Sequence, residues 1–169
     1  MKNMVREYYK LWFRLDGKDS YLIWFTDDVD GVFVDSNVKV PVFYSEAELD
    51  KYAAELKLTI EGGDLILHDL DSVVQWLQKP DELEPNCDQT LAVWNMFDDI
   101  FRSLGKEFSS KSALENKAYD KLFYGNNLPA VTPEGEHYEP AWSSKEITLI
   151  SQTLELGLHQ FRASICHQE

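Results

Sequence analysis

From residue 8 onward the side chains alternate in kind: Tyr9, Leu11, Phe13 and Leu15 fall on one face, Tyr8, Lys10, Trp12 and Arg14 on the other. A period of two belongs to a half-buried strand, because a helix would repeat its apolar residues every three or four positions. Asp16-Gly17-Lys18-Asp19 supplies turn chemistry, and YLIWF at 21–25 reads as the returning strand, so the chain opens with a hairpin. TDDVDG then turns into VFVD, and VKVPVFY at 38–44 reads as a further strand in which Pro41 favours a sheet edge.

After this point the helical period takes over. Ser45 with Glu48 is a capping-box pattern opening a helix through Leu56. KLTIE and LILH, separated by Gly62-Gly63-Asp64, read as another hairpin or a strand with a bulge. Asp69 or Asp71 caps a short helix, DSVVQWLQ, that Pro80 ends. An amphipathic helix over 88–104 carries Val93, Phe97, Ile100, Phe101 and Leu104 on its apolar stripe, and Gly105 stops it. ALENKAYDKLFY forms another, and Ser143 with Glu146 opens the last, with Ile147, Ile150, Leu154, Leu158 and Phe161 buried. Strands first and helices later predict one α+β domain over 1–169. Its N-terminal, mostly antiparallel sheet with hairpins is followed by a helical C-terminal half packed on it.

Between the last two helices lies GNNLPAVTPEGEHYEPAW, residues 125–142, with neither period. Its three prolines limit unfolded-state freedom, and Gly125 and two asparagines permit left-handed backbone. An ordered strap is expected, pegged by Leu128, Val131, Tyr138 and Trp142, with Glu134, Gly135 and Glu136 as an exposed acidic tip.

The net charge of −14 narrows the partners. Residues 58–101 hold ten Asp or Glu against one base, Lys79. Such a field repels phosphate backbones and anionic lipid and speeds association with basic proteins, which argues against direct nucleic-acid or membrane binding. The N-terminus MKNMVREYYKLWFRLD has no apolar run ahead of its charges, and no stretch of about 18 apolar residues follows, so a soluble cytoplasmic protein is expected.

Chemistry-bearing patterns are sparse. Cys87 and Cys166 lack CxxC or Cys/His spacing, so neither disulfide, zinc site nor other cofactor is expected. Thr26 to Gly31 places Asn37 where a calcium loop needs a bidentate glutamate, and reads as a solvated turn. The carboxylate pairs Asp98-Asp99, Asp69/Asp71 and Glu134/Glu136 are formal acid/base candidates, but neighbours one or two apart do not share a helix face. His159 and Cys166 stand seven apart with no supporting pattern, and GxSxG, GxGxxG and P-loop signatures are absent. The weight moves toward a protein that works by binding, with no catalytic residue assigned.

YLIWFTDDVDGVFVD, LILHDLDSVVQWL and YDKLFYGNNLPAVTP resemble parts of the immunity proteins of bacterial polymorphic-toxin and contact-dependent growth inhibition systems. The resemblance implies a non-enzymatic cytoplasmic inhibitor of one cognate toxin domain, often a nuclease, whose active site or groove it blocks. A toxin that grips phosphate through Lys and Arg would meet complementary carboxylates here. The expected partner surface comprises Asp69, Asp71, Asp81, Glu82 and Glu84, with Glu134, Glu136 and Tyr138 at the strap. Trp76, Trp94, Tyr124 and Trp142 are further aromatic anchors wherever they are exposed, Trp94 being expected in the core. A second reading is an acidic secretion chaperone or adaptor that adds an effector segment to an edge strand at VPVFYSEAELDKYA. A third is a hydrolase without a recognised motif.

Overall fold

Asp16 and Gly17 both adopt left-handed backbone, φ 55° and 72°, the geometry of a tight two-residue turn matched to strand twist. The turn joins β1 (Glu7–Leu15) to β2 (Lys18–Thr26), which pair antiparallel from Glu7 opposite Thr26 to Leu15 opposite Lys18. The computed structural model describes residues 5–109 and 111–168. β3 (Gly31–Val32) adds to the outer side of β2, and β5 (Leu67–Asp69) to the outer side of β1, giving the order β3-β2-β1-β5.

β5 runs parallel to β1, so of the two forms expected from KLTIE and LILH, a hairpin or a strand with a bulge, the hairpin does not form. Ile60 bridges Tyr8 in the same parallel sense. Ile60 and Leu67 lie seven positions apart while their partners Tyr8 and Trp12 lie four apart, so three residues loop out around Gly62-Gly63. The two apolar stretches are one interrupted edge.

The segment at 38–44 contains the expected strand, in a two-stranded sheet. β4 (Val40–Val42) is buried, pairing parallel to β6 (Ile165–His167), a strand that the sequence reading missed. Beside it, Phe43 exchanges backbone bonds of 2.8 and 2.9 Å with Tyr21. Val40–Val42 is thus paired on one flank and Phe43 on the other, which leaves less of this segment open to an added strand.

The alternation of β1 decides two cores. Leu11, Phe13 and Leu15, with Leu22, face α2 (Leu70–Gln78), α3 (Cys87–Ser103) and α5 (Ser144–Ser164), where Phe97, Ile100, Leu154 and Phe161 fill the interior. The opposite face, with Ile23 and Tyr8, packs beneath α1 (Glu46–Glu55) through Phe43, Leu49 and Ala53. The fold is α+β, with helices on both faces of a sheet rather than one. α4 (Ala113–Tyr124) lies outside, against α3 and α5.

Local signals set the helix starts. Ser45, Asp69 and Ser143 each accept the N3 amide, and Ser143 with Glu146 completes a reciprocal capping box. At α1 the returning bond from Glu48 goes to the Tyr44 amide instead. α3 begins one residue ahead of Asp88 because Asn86 is its cap.

Candidate protein-binding surface

The connector between α2 and α3 is held from inside: the buried Trp76 donates its indole N–H to the Leu83 carbonyl at 2.8 Å. That bond uses the backbone of Leu83 and leaves its side chain outside. Asp81, Glu82 and Glu84 are exposed around it, and among the described residues only Glu82 has a paired cation, Lys79 at 3.9 Å. Pro85 is buried and Asn86 starts α3, so the acidic segment is a short arch rather than a free loop.

Just beyond the arch, Cys87 touches the place where the strap begins. A Cβ at Gly125 would lie 2.5 Å from Cys87 Sγ and 2.8 Å from the Lys121 carbonyl, so only glycine fits this approach. Gly125 itself is right-handed, φ −65°, and Asn127 supplies the left-handed residue instead, φ 52°. Burial, with the nearby Glu84 charge, pushes the Cys87 thiol up, which keeps it protonated and unreactive.

Asn127 cross-links the two arms of the strap. Its Nδ2 donates to the carbonyls of Gly125 at 3.1 Å and Tyr138 at 3.0 Å, and its Oδ1 accepts the Tyr138 amide at 2.7 Å. Gly135, φ 81°, and a 3.0 Å bond from the Glu136 amide to the Pro133 carbonyl turn the tip. At the far end Lys121 Nζ donates to the Ala141 carbonyl at 2.6 Å and to Glu146 Oε1 at 2.8 Å, and the half-buried Trp142 packs on the core. An ordered strap is present; Trp142 pegs it as expected, and its other pegs are polar. Asn127→Ala is expected to cost about 1–2 kcal/mol in urea unfolding and to speed amide exchange across 125–142. Unchanged exchange there would show that the cross-link does not hold the strap.

Of the four apolar residues expected as pegs, Leu128, Val131 and Tyr138 are exposed. Leu83, Tyr124, Leu128, Val131 and Tyr138 are between 41% and 58% exposed. Tyr124, Val131, Pro133 and Tyr138 border an open cavity of about 380 Å³, with Glu136 and His137 on its rim. Glu134 and Glu136 are exposed at the tip, as expected. Exposed apolar groups on segments that also expose carboxylates fit a protein-binding surface, since aromatic side chains in such settings carry much of the binding energy.

Asp69 and Asp71 belong elsewhere. Asp69 caps α2 by accepting the Ser72 amide at 3.1 Å, and Asp71 accepts the Asp16 and Gly17 amides at 2.7 and 2.8 Å, closing the β1–β2 turn. Both carboxylates are half-buried in internal bonds. Trp94 lies in the core, as expected, and Trp76 joins it rather than serving as an anchor. Sequence reading missed Leu83, although one leucine inside the turn-rich stretch KPDELEP, with no periodic partner, was a usable signal.

Among the described residues no group of three His, Cys, Asp or Glu side chains converges on a point that could hold a metal ion. TDDVDG is the turn expected: Thr26 bonds Asp30, and Asp27 accepts the Val29 amide and the Arg6 guanidinium. Among the described residues no helix is long and apolar enough to cross a membrane.

No family model matches the chain, and no curated protein matches it. A solved structure, the C-terminal domain of SatS in complex with bromine, superposes over 95% of this chain and 94% of that one, with a TM-score of 0.49 and 15% identity.

Proposed function

We propose that this protein is a non-enzymatic immunity protein that acts in the cytoplasm, binding and neutralising one cognate toxin domain with a basic, nuclease-type surface. The observation that carries the reading is the exposure of Leu83, Tyr124, Leu128, Val131 and Tyr138 on two segments that also expose Asp81, Glu82, Glu84, Glu134 and Glu136 and that adjoin where Cys87 meets Gly125. The carboxylates would speed capture of a cationic groove, and the apolar centre would slow release. Contact by Cys87 with the strap origin holds the two halves of this surface together.

The test is co-expression with a toxin domain encoded beside the gene. The protein is expected to restore growth. Glu82→Lys with Glu84→Lys should slow association about tenfold at low salt, with a smaller gap at high salt. Tyr124→Ala should act mainly on dissociation. Full protection and unchanged rates in both variants would reject this surface. Hydrolysis by the purified protein that vanishes on replacing one His or Asp would reject the non-enzymatic reading.

A further inference from the structure

A second cleft opens on another part of the molecule, between the sheet and α3. Its volume is about 400 Å³, and its floor is Leu11 and Met96. The rings of Tyr9 and Trp24, a cross-strand pair with centroids 5.7 Å apart, form one wall. Most polar groups lining it are acceptors or anions; Asn95 is an exception, since its Oδ1 accepts the Tyr119 hydroxyl at 2.9 Å and its Nδ2 remains a donor. Asp30, Asp64 and Asp99 line it, and Asp99 is fixed by the Trp24 indole N–H at 3.0 Å and Arg102 at 3.2 Å. His68 Nδ1 lies 3.3 and 3.2 Å from the carbonyls of Trp12 and Ile66, which only accept, so Nδ1 carries the proton and Nε2 presents a lone pair. Burial pushes the His68 pKa down, which keeps the ring neutral.

Lys10 borders the cleft, but its ammonium is turned to Glu46 and Asp50, at 3.3 and 3.1 Å. The carboxylates in the cleft therefore keep a net negative field. Asp99 registers this: burial pushes its carboxyl up and the neighbouring Asp30 charge adds to the effect, against the opposing bonds from Trp24 and Arg102.

We infer that this cleft receives a guanidinium group, the side chain of one arginine on the basic partner. Charge complementarity selects a cation. Aromatic walls with carboxylates at the edge select a planar, weakly hydrated one with donors around its rim, which distinguishes arginine from lysine. The inference rests on the proposed function only for the source of that arginine.

The first measurement needs no toxin. Butylguanidinium is titrated into the labelled protein while the Trp24 indole N–H signal is followed, with butylurea as the neutral analogue of the same shape. A saturable shift with butylguanidinium and none with butylurea is expected. Asp99→Asn retains an acceptor for Trp24 and should weaken the interaction about tenfold, close to 1.4 kcal/mol. Ile66→Trp, on the exposed loop at the mouth, should block entry without disturbing either core. Equal responses to the two probes, or no saturable shift up to the solubility limit, would overturn the site. A blocked Gly-Arg-Gly peptide separates the sources: if it fails where butylguanidinium binds, the cleft takes a free small cation and the docking role is overturned. A failed titration beside intact toxin neutralisation would reject the cleft alone, whereas a successful one in a protein that gives no protection would reject only the immunity reading.

Discussion

Lys121→Met is expected to lower stability by about 3–5 kcal/mol near neutral pH, because removing one member of a buried ion pair strands the other. Glu146 is only 1% exposed in its side chain, and the Lys121 ammonium is 2.8 Å from its Oε1. Burial pushes the Glu146 carboxyl up, but the bonds from Lys121 and from the Ser143 amide outweigh it and hold the group below its ordinary value of 4.5. A depressed folded-state value means that this stability is present above pH 4.5 and is lost as pH falls through the folded value. In Lys121→Met burial acts with less opposition and the carboxyl titrates higher, so its penalty is relieved by acid. The difference in urea midpoint between the two proteins should therefore shrink from about pH 7 to about pH 4. A constant difference would show that the lysine acts through packing on Trp142 and not through the carboxylate. Since the same ammonium holds the Ala141 carbonyl, the variant should also loosen the end of the strap.

Gly157→Ala is expected to destabilise, although alanine is the better helix former. Gly157 lies inside α5, and a Cβ there would run into the ring of Phe97. That ring cannot easily yield, being 1% exposed and in contact with Phe108 and Phe161 at centroid distances of 6.1 and 6.0 Å. The helix-propensity gain is about 1 kcal/mol. Overpacking a filled core costs about 1–3 kcal/mol, so the net for alanine is a loss, and Gly157→Val should approach 3 kcal/mol or exceed it. The double variant Gly157→Ala with Phe97→Leu should lose less than the sum of its parts, because the smaller side chain vacates the contested space. Additive losses, or a more stable Gly157→Ala, would place the ring elsewhere in solution.

What could be read without tertiary structure was local. The β1–β2 hairpin follows from alternation and one turn, and the helix starts at Ser45, Asp69 and Ser143 follow from a side-chain oxygen three residues ahead of the amide it accepts. Such signals are complete within one or two turns of chain. The acidic tip at Glu134 and Glu136 and the arch at Asp81, Glu82 and Glu84 were legible for the same reason, as polar runs that no apolar period could bury.

Tertiary structure decided whatever depends on distant partners. Period two says that β1 has two faces but not that α1 covers one while α3 and α5 cover the other. A three-residue strand such as β6 has no pattern of its own and exists only because Val40–Val42 lies open beside it. Parallel pairing of β5 with β1 likewise leaves no turn signature, since its connection runs through the whole intervening chain. Side-chain direction in the strap was undecidable for a related reason: without a period, Leu128, Val131 and Tyr138 suit a core and an interface equally. Polar bonds from Asn127 and Lys121 already hold the backbone, which frees those apolar groups to face outward. The guanidinium cleft shows the same division. Tyr9, Trp24, His68 and Asp99 are unremarkable one at a time, and only the seating of α3 against the sheet brings their rings, lone pair and charge to one opening.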